Sequence, residues 1–344
     1  MKDPFEISVI IPAYNCKRTL NQVILNLIDQ SKGLDGMEII VVDDGSTDGT
    51  KDWLEKIASE YPGLVRCFFQ KNRGVSATRN RGISNANGKI ILFLDADVIP
   101  SPHLIQEHVK FHREHPEIHI SLLGKIPDID NSEGNEWVRP RVGVFKTKQI
   151  QKNDLPWIEF ITGNISLKRS FLEKYELRFN ENLFANEDVE FGFRAKQCGM
   201  ILHFSEKAVG FHDHPITLKS YLNKGKLYGR GYALWYFNFP GLKEELEKFD
   251  REHFCGFIGA NRPMLFKVRQ YIKRIIANSA TAPLFLFIGN ILFRLGKNTK
   301  FFWFYRQVNE INFRTAFRQR MNELRYNDEK LLAGGSFQTI FSTN

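Results

Sequence analysis

The stretch KIILFLDAD, Lys89 to Asp97, decides how the chain is read. Apolar residues run unbroken from Ile90 to Leu94 and then give way to two carboxylates separated by one alanine. A short continuous apolar run is the pattern of a strand buried on both faces, as in a parallel sheet covered by helices. The acids that follow then sit in the loop at the strand's carboxyl end, where open sheets of this kind bind their ligands.

Working outward, the same grammar repeats. ISVII (Ile7 to Ile11) runs into Pro12-Ala13-Tyr14-Asn15, and EIIVV (Glu38 to Val42) runs into Asp43-Asp44-Gly45-Ser46. A weaker strand signal covers Leu64 to Phe69, and helical stretches fall near Lys17 to Gln30, Thr47 to Glu60 and Val75 to Ala86. Strand and helix in alternation predict an α/β fold with a central, mainly parallel sheet flanked by helices. Three polar loops then gather along one sheet edge.

Beyond Asp97 the pattern loosens. Ser101 and Pro102 read as the start of a helix that reaches about His115. The polar stretch from Lys125 to Pro156, with Gly134, Asn135 and Pro140, reads as a long loop or insertion. An ordered block from Trp157 to Phe211 and a helix from Leu218 to Phe237 follow. Between Pro240 and Arg262 the composition changes, which divides the chain into a catalytic domain, 1–240, and a helical C-terminal region, 241–344.

With 42% hydrophobic and 25% charged residues the chain has a globular balance rather than a disordered one. Cys16, Cys67, Cys198 and Cys255 are scattered, with no pair at metal or redox spacing, which fits reduced thiols in the cytoplasm. No long apolar run precedes the first strand, so a secretory signal is not expected. The turn after that strand lacks Gly-x-Gly-x-x-Gly, which argues against a dinucleotide-dependent oxidoreductase. It also lacks the glycine-rich loop expected of a nucleotidyltransferase.

Charge is unevenly spread. Of the formal +9, the segment from Arg262 to Tyr326 holds thirteen Lys and Arg against Glu310 and Glu323 alone. That segment nets +11, which leaves the remainder slightly acidic. Ile275 to Phe293 carries no charge and is bounded by Arg274 and Arg294. Its length meets the lower limit of a membrane span, but Asn278, Pro283, Gly289 and Asn290 dilute it. An element lying on a membrane surface, with its basic flanks drawn to anionic lipid, fits better. An ordinary helical subdomain is the competing picture. No nucleic-acid module accompanies these basic and aromatic residues, and no nucleic-acid partner is expected.

The candidate chemistry lies in the loops. Asp-x-Asp alone is a common turn feature, but behind a buried strand one of Asp95 and Asp97 can bind a ligand hydroxyl and the other a cation. Mg²⁺ or Mn²⁺ suits such a site, since these ions take hard oxygen ligands and complete their shells with water and phosphate. Asp43 to Asp48 can cap the next helix, or accept a hydrogen bond from a nucleobase, or do both with different residues. Asn186-Glu187-Asp188 opens an amphipathic stretch whose acids favour the positive end of a helix. Asp188 is also placed to act as a general base, with Glu187 on the acceptor or sugar and Arg194 as an ion-pair partner. Of the two imidazoles in Phe211-His212-Asp213-His214-Pro215, His212 is the candidate metal ligand.

Taken in order, Ser8 to Asn15, Val41 to Asp48, Asn72 to Asn80, Phe93 to Asp97 and Asn186 to Asp188 resemble the family 2 glycosyltransferases of the GT-A fold. The resemblance covers about residues 6–235. It implies a nucleotide-diphosphate sugar donor, UDP-linked by family expectation. Pro12, Ala13, Tyr14 and Asn15 would line the donor site, with Tyr14 against the base and Asp44 hydrogen-bonded to it. Arg73 or Arg79 would meet the base or the diphosphate. Asp95, with Ala96, would hold the ribose or sugar side, and Asp97 would ligate the metal with His212. Gly163 and Asn164 would border the sugar and acceptor together with Glu187, and Asp188 would be the catalytic base. The acceptor expected is a glycan or a lipid-linked sugar, reached at the cytoplasmic face of a membrane. A sugar-nucleotide sensor of the same fold is the rival, but a pure binder has no use for a base.

Overall fold

The computed structural model describes residues 5–34, 36–129, 154–214, 217–238, 279–294 and 300–333. Most of the polar stretch expected between 125 and 156, the compositional change between 240 and 262, and residues 275–278 lie outside the described residues. The chain forms two compact units, Met1–Pro215 and Ile216–Asn344. Ile216 opens the second unit, ahead of the helix expected over 218–237.

The first unit opens with strict alternation. β1 (Ile7–Ala13), α1 (Lys17–Ser31), β2 (Met37–Asp43), α2 (Thr50–Glu60), β3 (Val65–Phe69), α3 (Val75–Asn85) and β4 (Ile90–Leu94) follow one another. There follow β5 (Val98–Pro100), α4 (Leu104–Glu114), β6 (Ile120–Lys125), a 3₁₀ turn at Trp157–Glu159, β7 (Asn164–Lys168), α5 (Arg169–Lys174), α6 (Glu187–Gln197) and β8 (Ile201–His212). All eight strands join one sheet in the order β3-β2-β1-β4-β7-β6-β8-β5. The neighbours β3, β2, β1 and β4 are parallel, so the loops after β1, β2 and β4 emerge on one edge.

The apolar runs are buried on both faces, as their continuity requires. Val9, Ile11, Ile39, Val41, Leu92 and Leu94 pack against residues of α1, α2 and α4. Their alternates Ile10, Ile40, Val42, Ile91 and Phe93 pack against α3, α5 and α6. This is the period-two pattern of a strand with a hydrophobic layer on each side. Helix α2 starts at Thr50 and not at Thr47, because Gly49 turns the chain with φ 84°, a left-handed conformation that favours glycine. Helix α4 likewise starts at Leu104, three residues after Ser101.

The second half of the sheet is mixed. β7 runs antiparallel to β4, with Leu94 opposite Asn164, and β5 runs antiparallel to β8, with Val98 opposite His212. These two pairings deliver residues far along the chain to the edge where Asp95 and Asp97 stand.

In the second unit α7 (Leu218–Asn238), α8 (Ala282–Arg294) and α9 (Lys300–Ala333) are helical. Gly225 and Gly229 bring α7 so close to α9 that a Cβ on either would run into the backbone at Asn309 or Phe313. Phe285 of α8 packs with Val308 and Ile311 of α9. Among the described residues no helix is long and apolar enough to cross a membrane. The 13 residues of α8 extend only about 20 Å, against a hydrocarbon core of about 30 Å.

Candidate active site

A cleft of about 680 Å³ opens at the carboxyl edge of β1, β2 and β4. Pro12, Ala13, Tyr14, Asn15, Asp44, Arg79, Asp95, Ala96 and Asp97 all line it. The strand ends therefore converge, as their parallel alignment dictates. Its volume is in the range of small-molecule sites.

The loop after β1 is held by its neighbour. Asn15, with φ 49°, accepts a hydrogen bond from the Thr47 amide at 2.7 Å and donates its own amide to Ser46 Oγ at 2.9 Å. Tyr14, beside it, is left 53% exposed on the cleft wall. An exposed ring on a fixed loop is a stacking platform. Asp44 is buried and accepts from Gln70 Nε2 at 2.8 Å, from the Arg73 amide at 2.9 Å and from the Gly74 amide at 2.8 Å. A carboxylate has about four lone-pair sites. Three are used to shape the loop, and one remains for a donor on a ligand.

The two arginines differ from expectation. Arg73 points to Glu181, with Nη2 2.8 Å from Oε2, and contributes its backbone amide to Asp44. Arg79 is buried between Glu187 Oε1 at 2.7 Å and Asp95 Oδ1 at 3.0 Å. Each guanidinium expected on the base or diphosphate thus has carboxylate partners inside the protein. Local sequence could not reveal Glu181 and Glu187, which lie 108 residues along the chain, although Asp95 is only 16 residues from Arg79.

Asp188 stands in the first turn of α6, next to Glu187. It is not in the cleft wall but shares the field of Asp95, Arg79 and Glu187. Burial and the neighbouring Glu187 carboxylate push its pKa up to about 7, with Arg79 pulling the other way. Burial also raises the Asp95 carboxyl, against the pull of Arg79. A carboxylate tuned toward neutrality is what proton abstraction near pH 7 requires. Arg194, four residues past Glu190, pairs with that side chain at 2.7 Å as a structural tie.

The candidate metal ligands come together. Oxygen and nitrogen donors of Asp97, His212 and His214 lie within 4.8 Å of one another. Asp97 Oδ2 is 3.6 Å from His212 Nε2 and 3.3 Å from His214 Nδ1. Ligands each about 2.1 Å from one ion fall at such separations, so the residues fit a divalent cation. His212 ends β8 and His214 follows two residues on, so their rings share a side and stack at 5.4 Å. The second nitrogen of His212, Nδ1, meets Asp128 Oδ1 at 2.9 Å, which fixes the ring and frees Nε2 for a metal. Burial disfavours charge on His212, but Asp128 and Asp97 outweigh it and lift its pKa to about 9. Burial likewise disfavours the Asp97 carboxylate, but both histidines overcome this and hold its pKa well below the usual range. His214 and Asp128 are additions to the sequence reading. His214 was legible from its spacing, whereas Asp128 has no local signature.

The expected sugar-side pair separates. Gly163 adjoins Asp95, since a Cβ there would lie 3.3 Å from Asp95 Oδ2. Asn164 does not reach the ligand space. It is fully buried, accepts from His108 Nε2 at 2.8 Å, and donates both amide hydrogens to the carbonyls of Ala208 and Lys125. Its place is structural, because β7 turns its side chain into the layer beneath α4. Glu187 is also buried, with Arg79 as its partner.

Residues 8–176 match the family described as Glycosyl transferase family 2. A relative from Bacillus subtilis (strain 168), "Uncharacterized glycosyltransferase YfnE", is 29% identical over 62% of this chain and 66% of its own length. The chain spans between about half and two thirds of the length of the first curated relatives it matches. Among solved structures, S. aureus TarS 1-349 in complex with UDP is 17% identical and covers 97% of this chain and 93% of its own, with a TM-score of 0.53. A mannosyltransferase from Pyrobaculum calidifontis, in complex with GDP-Man and Mn²⁺, is 17% identical over 92% of this chain and 88% of its own, with a TM-score of 0.57. The fold is the GT-A-like mixed α/β sheet with flanking helices and a helical C-terminal region.

Proposed function

As the chain belongs to glycosyl transferase family 2 through residues 8–176, we propose that it transfers a sugar from a nucleotide-diphosphate donor to a hydroxyl group of a glycan or lipid-linked acceptor, inverting the anomeric centre. The observation that carries this reading is a single cleft lined by Asp44, Asp95 and Asp97, with Asp188 in the same electrostatic field. The UDP bound to TarS 1-349 and the GDP-Man and Mn²⁺ bound to the mannosyltransferase favour a nucleoside-diphosphate donor used with a divalent cation. We take UDP as the first donor nucleotide to test.

Tyr14 stacks on the nucleobase and the remaining lone pair of Asp44 accepts its imide proton. Asp95 accepts a hydroxyl of the ribose or sugar. Asp97, His212 and His214 would hold the cation, and their two nitrogens favour Mn²⁺ over Mg²⁺. A cation held there would neutralise charge that develops on the leaving diphosphate. Asp188 takes the proton from the acceptor hydroxyl as its oxygen attacks the face opposite the nucleotide. One displacement from that face inverts the sugar.

The test is a panel of nucleotide sugars screened for donor hydrolysis and thermal shift, with and without Mn²⁺. One UDP-sugar should stabilise the protein and be hydrolysed only with metal present. No stabilisation by any nucleotide sugar would refute the reading.

A second reading concerns the C-terminal unit, which we propose rests on an anionic membrane surface at the cytoplasmic face. Leu284, Phe287 and Ile291 share one side of α8 and are 56%, 62% and 42% exposed. The net positive charge between 262 and 326 complements anionic lipid. Leu284→Ser with Phe287→Ser should release the full chain from anionic liposomes, and unchanged sedimentation with them would refute the contact.

A further inference from the structure

The segment 73–80 grips the segment 179–187 at several points. Arg73 reaches Glu181, and Asn80 Nδ2 donates to the Phe179 carbonyl at 2.9 Å and to Glu181 Oε1 at 3.0 Å. The Phe179 amide returns a bond to Asn80 Oδ1 at 2.8 Å. Arg79 lies at the centre of this seam. Its guanidinium carbon is 5.4 Å from the Phe179 ring centroid, Nη1 is 2.7 Å from Glu187, and Nη2 is 3.0 Å from Asp95.

We propose that Arg79 is a positioning residue, whose single guanidinium fastens the helix that bears Asp188 to the donor-side carboxylate Asp95. The inference rests on the glycosyl-transfer reading for what is being positioned. Its physical content is that base and donor site lie on separate parts of the chain and must keep register within fractions of an ångström. A misplacement of about 1 Å can cost a hundredfold in rate.

The chemistry selects arginine. One planar group offers two terminal nitrogens in a fixed fork, so each carboxylate has its own donor in a set direction, whereas a lysine ammonium is a point charge on a flexible stem that fixes no such geometry. The side chain is only 4% exposed. Turning it toward a diphosphate would take the counter-charge from the buried Glu187 and from the half-buried Asp95, a costly exchange for Glu187 above all. Arg79 therefore serves the donor through Asp95 rather than by touching it.

Two variants test this, Arg79→Lys and Glu187→Gln. The second leaves Arg79 paired with Asp95, so it decides the matter if the first does not fold. Hydrogen exchange is followed in the nucleotide-free protein, and the affinity for UDP with Mn²⁺ is measured by calorimetry. Exchange across 186–191 should quicken about tenfold, with β1 and β2 unchanged. UDP–Mn²⁺ affinity should stay within about threefold of the wild type. With a donor the wild type hydrolyses, kcat should fall about a hundredfold at nearly constant KM.

Three results would overturn it. Unchanged exchange at 186–191 removes the fastening. A tenfold loss of UDP affinity without faster exchange makes Arg79 a donor ligand. Faster exchange throughout the sheet makes it a general structural ion pair. A wild type that binds no UDP refutes the functional reading only, and the exchange measurement still decides the role of Arg79.

Discussion

His212 pairs with Val98 across β8 and β5, and that pairing carries its imidazole to 3.6 Å from Asp97. The Asp213 amide donates to the Asp97 carbonyl at 2.7 Å and locks the two segments together. Arg18 adds a further tie, with Nη1 2.9 Å from Asp213 Oδ2. Backbone register thus sets His212 beside Asp97, and the Asp213 amide holds the segment that leads to His214.

Removing ligands should follow that geometry. His212→Ala and His214→Ala should each weaken Mn²⁺ binding, and Asp128→Asn should weaken it by about tenfold to a hundredfold through the freed His212 ring. Calorimetric titration of Mn²⁺ in the presence of UDP measures this. Unchanged affinity in Asp128→Asn would show that the ring needs no anchor.

The rate of transfer should depend on pH through Asp188. As a base it works only when deprotonated, and burial with Glu187 lifts its pKa to about 7 while Arg79 opposes. Activity should therefore climb as pH rises through neutrality and be lost as pH falls. Replacing Glu187 by Gln removes a like charge and should move that limb to lower pH. A profile flat between about pH 5 and 8 would contradict the assignment.

Asn164→Ala separates structure from binding. It leaves His108 Nε2 and the Ala208 carbonyl without a partner they now have. A loss of about 1–3 kcal/mol per orphaned group is expected in denaturant unfolding. Affinity for UDP with Mn²⁺ should not change, and a tenfold loss would return Asn164 to the donor site.

Much of this was legible in the chain. The unbroken apolar runs of β1, β2 and β4 identify buried parallel strands, and their polar ends mark the site edge. Register between distant strands was not legible. Nothing local to Val98 announces His212, and nothing local to Leu94 announces Asn164. The partners of the two arginines are a related case. A basic residue in a donor-site loop suggests a phosphate, and only the tertiary fold reveals that Glu181, Glu187 and Asp95 are waiting for it. The resemblance implies a sugar contact for Asn164, yet as the first residue of β7 its side chain bonds His108 and the carbonyls of Ala208 and Lys125.

In the proposed reaction Asp188, beside the cleft that Asp44, Asp95 and Asp97 line, activates the acceptor. Asp188→Asn measures it most directly, as the rate of sugar transfer set beside the affinity for UDP and Mn²⁺. Nucleotide binding should stay unchanged while transfer falls about a hundredfold or more. Transfer at the wild-type rate would contradict it.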